Sequence, residues 1–94
     1  MSFTVTHEPD ADRYAVYDAD ELQGFIIYER VGTTVRLLHA EVPPVKRGQG
    51  VGGEVVRLIL DELRANSSDR VQPVCGFVVT WMRRNPDYAE LTTR

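Results

Sequence analysis

Apolar and polar residues alternate in short runs as far as Val42, and from Gly50 onward apolar residues recur at helical spacing. The first regime predicts strands. Phe3–His7 alternates weakly and reads as an edge strand, and Glu8-Pro9-Asp10-Ala11-Asp12 behind it is turn chemistry. Arg13–Tyr17 reads as a second strand, followed by a turn at Asp18-Ala19-Asp20. The long run Glu21–Val31 carries Leu22, Phe25, Ile26, Ile27 and Tyr28, with Gly24 marking a bulge or bend. Gly32-Thr33 then predicts a hairpin into Thr34–Val42. Strands connected in this way form an antiparallel meander.

The second regime predicts a helix from Gly50 to about Ala65. Val51, Val55, Val56, Leu58, Ile59, Leu60 and Leu63 fill a wide apolar sector, opposite Glu54, Arg57, Asp61 and Arg64. Asn66-Ser67-Ser68-Asp69 ends it, and the apolar run Arg70–Cys75 reads as one more strand, returning beside the strand that ends at Val42. Phe77–Arg84 is a shorter helix that stops before Pro86, because the residue preceding proline disfavours helical geometry. Asn85-Pro86 has the chemistry of an N-cap and first helical position for a last turn through Leu91. Trp81 and Met82 are expected in the core.

Composition narrows the classes. With 94 residues, residues 1–94 are expected to form a single domain. Hydrophobic residues at 43% and charged ones at 27% fit an ordinary globular fold. A net charge of -3 argues against bulk binding to nucleic acid, although Lys46-Arg47 and Arg83-Arg84 provide local basic patches suited to a small anion. No apolar run is long enough to span a bilayer, and the N-terminus lacks a signal-peptide pattern. Cys75 is the only cysteine, which rules out an intrachain disulfide and suggests a cytoplasmic setting. His7, His39 and Cys75 lie too far apart in sequence to form a short metal-ligand pair, so no metal is expected.

The densest signal is Val42-Pro43-Pro44-Val45-Lys46-Arg47-Gly48-Gln49-Gly50-Val51-Gly52-Gly53. A strand ends at two prolines, a basic pair follows, and a glycine-rich turn opens straight into the long helix. Glycines let backbone approach a phosphate closely, and the first N–H groups of a helix have no intrahelical partner. The helix dipole adds positive charge at the same place, so the stretch reads as an anion cradle. Three readings of it compete. Gly48, Gly50 and Gly53 satisfy the dinucleotide fingerprint G-x-G-x-x-G, but the parallel βαβ context that motif needs is missing. A P-loop fails because no Gly-Lys-Ser/Thr closes the turn. The third takes Arg47-x-x-Gly50-x-Gly52 as the unit.

That third pattern resembles the acyl-CoA pyrophosphate loop of the GNAT N-acetyltransferase superfamily. His39-Ala40-Glu41-Val42-Pro43, Gly48-Gln49-Gly50-Val51-Gly52, Pro73-Val74-Cys75-Gly76-Phe77-Val78 and Arg84-Asn85-Pro86-Asp87-Tyr88 follow in compatible order. The chain is similar to the compact, single-domain YjdJ-like branch, over roughly residues 12 to 91. The resemblance implies an α+β fold: a mostly antiparallel sheet splayed between its middle strands, one long central helix and a short C-terminal helical segment. It also implies acetyl-CoA or coenzyme A as the ligand and a small-molecule or peptide amine as acceptor, in a monomer or weak homodimer. Relatives often carry threonine where this chain has Ala40, and the framing helices and strands of larger acetyltransferases fall outside the resemblance.

Residue roles follow from it. The pyrophosphate would lie on Gly48, Gln49, Gly50, Val51 and Gly52, with the Arg47 guanidinium fork on its oxygens. The main chain of Val42 would meet the pantetheine arm as an added strand does. His39 is the candidate base, with Glu41 acting through a water; structural roles are the alternative for both. Cys75 carries two readings: an inert core thiol, or a nucleophile activated at a helix N-terminus near the thioester. Asn85 and Tyr88 fall near the cofactor end without a chemical role. A non-catalytic coenzyme A-binding or protein-interaction module is the alternative function.

Overall fold

The computed structural model describes residues 2–94. Five strands form one sheet in the order β1 (Phe3–Glu8), β2 (Arg13–Asp18), β3 (Glu21–Val31), β4 (Thr34–Glu41) and β5 (Arg70–Pro73). The first four are antiparallel neighbours, while β5 joins β4 in parallel. The connection between those two is α1 (Val51–Asn66), and α2 (Gly76–Arg84) follows β5. Single turns of 3-10 geometry occupy Pro9–Ala11 and Pro44–Lys46, and a longer one runs over Pro86–Thr92. The expected α+β architecture is therefore present.

The core lies on one face of the sheet. Helix α1 buries Val55, Val56, Ile59, Leu60 and Leu63 against Val16, Ile26, Val35 and Leu37 of the strands. Each such side chain contributes about 1.5–3 kcal/mol on burial. Val78 and Met82 of α2, with Tyr88 and Leu91 of the last turn, extend the same cluster. Trp81 packs only partly buried against it. The opposite face of the sheet carries the intermediate or exposed residues Phe25, Ile27, His39 and Glu41.

Two bulges set which side chains point where. Val16 faces Gly24 and Tyr17 faces Leu22, so Gln23 is the extra residue in β3, next to the glycine expected to mark a bulge. Gln23 is buried and donates to the Glu21 carbonyl at 3.2 Å and to its carboxylate at 3.3 Å. In β4, Ile27 faces His39 while Tyr28 faces Leu37, which makes Leu38 the extra residue. Beyond it the inward and outward positions exchange, so His39 and Glu41 face outward and Ala40 inward.

Element ends differ from expectation where hydrogen bonds intervene. The strand expected to reach Cys75 stops at Pro73, because the N–H groups of Val74 and Cys75 both turn onto the Leu37 carbonyl, at 2.9 and 3.0 Å. The β4 ladder ends at Glu41 rather than Val42. Asn85 precedes the last turn, but its side chain does not cap it; the amide instead donates back to Trp81 O at 2.7 Å, closing the end of α2. Among the described residues no helix is long and apolar enough to cross a membrane, and no group of three or more His, Cys, Asp or Glu is arranged to hold a metal.

At the opposite end of the sheet, Glu8 clasps β1 to β2. It accepts from Tyr17 Oη at 2.7 Å and from Arg13 Nε at 2.6 Å. These contacts, Tyr17 first, hold its carboxyl below the usual carboxylate range. A carboxyl depressed in the folded state contributes stability above its unfolded pKa, and that stability is lost as pH falls through the folded value. Glu8→Gln is therefore expected to show a shallower loss of thermal stability than wild type as pH drops below about 4. Equal acid sensitivity in parallel melting curves would remove Glu8 from the account.

Candidate active site

The parallel pairing of β4 with β5 covers only Thr34–Leu37 against Arg70–Pro73. Leu37 O, holding both Val74 N–H and Cys75 N–H, is the fork. From Leu38 to Glu41 the edge of β4 that would face β5 has no strand partner among the described residues. The sheet opens there into a cleft of about 410 Å3. One wall is the end of β4, with His39, Ala40, Glu41 and then Val42; the other is Gly52 and Val55 of α1 and Phe77 of α2. Arg47 and Gly48 close it at the loop end.

The helix mouth in this cleft has no side-chain cap. Gly50 precedes α1 with φ 76°, a left-handed conformation that glycine adopts freely, and Gly48 has φ 81°. A Cβ at either glycine would meet nothing within 4 Å, so backbone conformation and not crowding calls for them. The first turn of α1, whose Gly52 lines the cleft, is the positive end of a sixteen-residue helix with N–H groups that have no intrahelical partner. Gly52 differs: a Cβ there would lie 3.0 Å from the tip of the Phe77 ring and 3.6 Å from Val42 Cγ2. Val42, Gly52 and Phe77 together form the narrow part of the cleft.

Charge is distributed so that one guanidinium faces the cleft. Lys46, the only lysine in the chain, is drawn to Glu21 Oε1 at 2.7 Å on β3. That contact, reinforced by Gln23, holds the Glu21 carboxyl below its ordinary range. Arg47 remains exposed and donates from Nε to Val42 O at 3.0 Å, folding the loop back on the strand end. The Gln49 side chain is likewise turned inward, donating to Val45 O at 3.2 Å.

The cleft gathers His39, Glu41, Val42, Arg47, Gly48 and Gly52; between the last two, Gln49 and Gly50 complete the loop and Val51 begins α1. His39 Nε2 and Glu41 Oε1 are 3.5 Å apart on the outward face, an ion pair whenever the imidazole is protonated. Cys75 does not join them. It precedes α2, half-buried against the core, and is not among the residues that line the cleft. Tyr88 is turned to α1, its hydroxyl donating to Asp61 Oδ1 at 2.7 Å. Ala40, Val55 and Phe77 also line the cleft, a placement that nothing local in the sequence declares for Ala40 or Val55. For Phe77 the signal was an aromatic residue directly after Gly76 at a helix start, and its side chain is half exposed.

Known proteins give this arrangement a context. No protein of curated function matches the chain. Among solved structures, nourseothricin acetyltransferase is similar, with a TM-score of 0.50 and 22% sequence identity. The match covers 87% of this chain, which spans 65% of that one; at this identity the likeness is one of fold. The family model described as GCN5-related N-acetyl-transferase matches residues 13–91, from the start of β2 through the last buried leucine. The chain belongs to the GCN5-related N-acetyltransferase family.

Proposed function

We propose that this protein binds acetyl-CoA and transfers its acetyl group to an amine. The observation that carries this reading is the uncapped mouth of α1, whose Gly48 and Gly52 line a cleft where the β4 edge is left unpaired. Both halves of the ligand find complementary chemistry there. The diphosphate would rest on the N–H groups of the Gly48–Gly52 loop with Arg47 on its oxygens. The pantetheine amides would extend the sheet along β4 at Val42, covering the exposed half of Phe77.

The bound thioester supplies the activated acetyl group. His39 and Glu41 stand on the outward side of the same strand, where an amine has free access. His39 takes the proton that the attacking nitrogen sheds as its bond to the acetyl carbon forms, and the carbon–sulfur bond breaks with coenzyme A leaving as its thiolate. Glu41 holds the imidazolium that results. Unpaired main-chain groups on β4 beyond the fork are the candidates for polarising the carbonyl. The half-buried Cys75, outside the lining, favours direct attack over a covalent cysteine route.

Titration calorimetry with coenzyme A tests the binding half, and acetyl transfer across an amine panel tests the chemistry. Arg47→Ala is expected to raise the Kd for coenzyme A about tenfold, the scale of one charge-assisted hydrogen bond of about 1.5 kcal/mol. Its affinity for a pantetheine fragment without phosphates should not fall. An equal loss for both ligands would place Arg47 off the phosphates.

A further inference from the structure

The loop that carries Arg47 and Gly48 is fastened to the start of β3, and the bulge at Gln23 puts the fastening within reach. In β2, Val16 points into the core and Tyr17 points outward to Glu8. Asp18, opposite the core-packed Phe3, therefore returns to the side of α1. Glu21 faces Asp18 and shares that side. Strict alternation from the buried Ile26 would instead have turned Glu21 outward. The extra residue re-aims it toward the face on which α1 and its leading loop lie.

The contacts run from the sheet to the loop. Gln23, only 3% exposed, donates from Nε2 to Glu21 Oε1 at 3.3 Å, and the same oxygen accepts from Lys46 Nζ at 2.7 Å. The Lys46 side chain is 21% exposed, although lysines are usually well solvated. Its backbone belongs to a stiff turn: Lys46 N–H donates to Pro43 O at 2.8 Å and Arg47 N–H to Pro44 O at 3.3 Å, with φ fixed at both prolines. Arg47 follows directly. Its Nε holds Val42 O at 3.0 Å, and its two Nη groups have no partner among the described residues. One end of the turn is thus tied to β3 by Lys46 and the other to the end of β4 by Arg47.

We infer that Gln23, Glu21 and Lys46 are positioning residues for the phosphate end of the cleft, a brace that orders the Arg47–Gly48 turn before the ligand arrives. This rests on the acetyl-CoA reading above. A turn already ordered loses less conformational freedom on binding, so the Arg47 Nη groups and the Gly48 N–H engage a phosphate at lower cost. The brace gives Lys46 a place in the scaffold, whereas a lysine beside a glycine turn is ordinarily a direct phosphate contact. The two roles differ in sign. Were Lys46 to serve the phosphate directly, Glu21 would compete for its ammonium, and removing the carboxylate would tighten binding. As a brace, the same change loosens the turn and weakens binding.

The test titrates Glu21→Gln, Lys46→Met and the double variant with coenzyme A and with pantetheine, which lacks the phosphates. It is run at about 0.15 M salt, where exposed charges more than about 8 Å apart are largely screened. Each single variant should raise the Kd for coenzyme A about threefold, the scale of a partly exposed ion pair. The double variant should bind no more weakly than either, because all three lack the same contact. Pantetheine affinity, and kcat at saturating acetyl-CoA, should not move. In the ligand-free protein, amide relaxation measured by NMR should show larger motion of Arg47, Gly48 and Gly50 in Glu21→Gln than in wild type. Tighter or unchanged coenzyme A binding by Glu21→Gln, an equal loss for pantetheine, additive single effects, or unaltered amide motion would each overturn the brace. Wild-type calorimetry separates the two claims. No binding of coenzyme A removes the reading of the cleft, whereas binding that Glu21→Gln leaves intact removes only the brace.

Discussion

Gly24→Ala is expected to destabilise the protein by about 1–3 kcal/mol, the usual penalty for overfilling a packed core. A Cβ on Gly24 would lie 2.9 Å from Glu41 O and 2.9 Å from Val55 Cγ2, and 3.4 Å from Val42 Cγ2. The first of these is backbone and cannot swing aside. Relief therefore requires moving the end of β4 away from β3, and that end is one wall of the cleft. Chemical denaturation should show a lower midpoint with an unchanged slope, and coenzyme A affinity should fall with it. Gly53→Ala supplies the contrast. Its nearest neighbour would be Trp81 Nε1 at 3.4 Å, a side chain on the facing helix. Replacing a helical glycine by alanine gains about 0.5–1 kcal/mol, so that variant should be neutral or stabilised. Equal stability of Gly24→Ala and wild type would mean that the close approach of the two strands is not a constraint.

His39→Gln is expected to lower kcat for acetyl transfer about a hundredfold, the lower range for losing a positioned general base. Coenzyme A affinity measured by calorimetry should not change, because His39 faces outward and the proposed phosphate contacts, Arg47 and Gly48, line the loop end of the cleft. The split matters more than the size. A comparable loss in both quantities would indicate a structural role. Glu41→Gln should cost less, since it acts through the imidazole 3.5 Å away. The double variant should cost less than the product of the single effects, as expected for two groups acting as a unit. A kcat for His39→Gln within twofold of wild type would sink the assignment of the base.

The fold was legible wherever period and punctuation agreed. Glu21–Val31 was delimited by Asp20 and Gly32, and the structure places the strand at the same bounds. The glycine turn was equally legible as a turn, because Gly48 and Gly50 follow a proline-ended strand and both take the left-handed conformation ahead of α1. Orientation was not legible. Nothing local declares that Leu38 is an extra residue, and it alone decides that His39 and Glu41 point away from α1. The adjacent pair Leu37-Leu38, which breaks strict alternation, is the trace of that bulge. The place of Cys75 at the start of α2 was legible, but its absence from the cleft lining was not, for a related reason. It depends on where β5 leaves β4, and a shared hydrogen bond to the Leu37 carbonyl fixes that point, not the apolar run that continues through it. Phe77 was read only as a helix start; its role in the narrow part of the cleft depends on contact with Gly52, twenty-five positions earlier in the chain.

The fork at Leu37 divides β4 into a half bounded by neighbours on both edges and a half bounded on one. Amide deuterium uptake should divide at the same place. Peptides covering Thr34–Leu37 should resist exchange on the timescale of global unfolding, while those beyond it exchange through smaller openings. A coenzyme lying along the open edge would slow the second group alone, so occupancy can be followed without a single catalytic turnover.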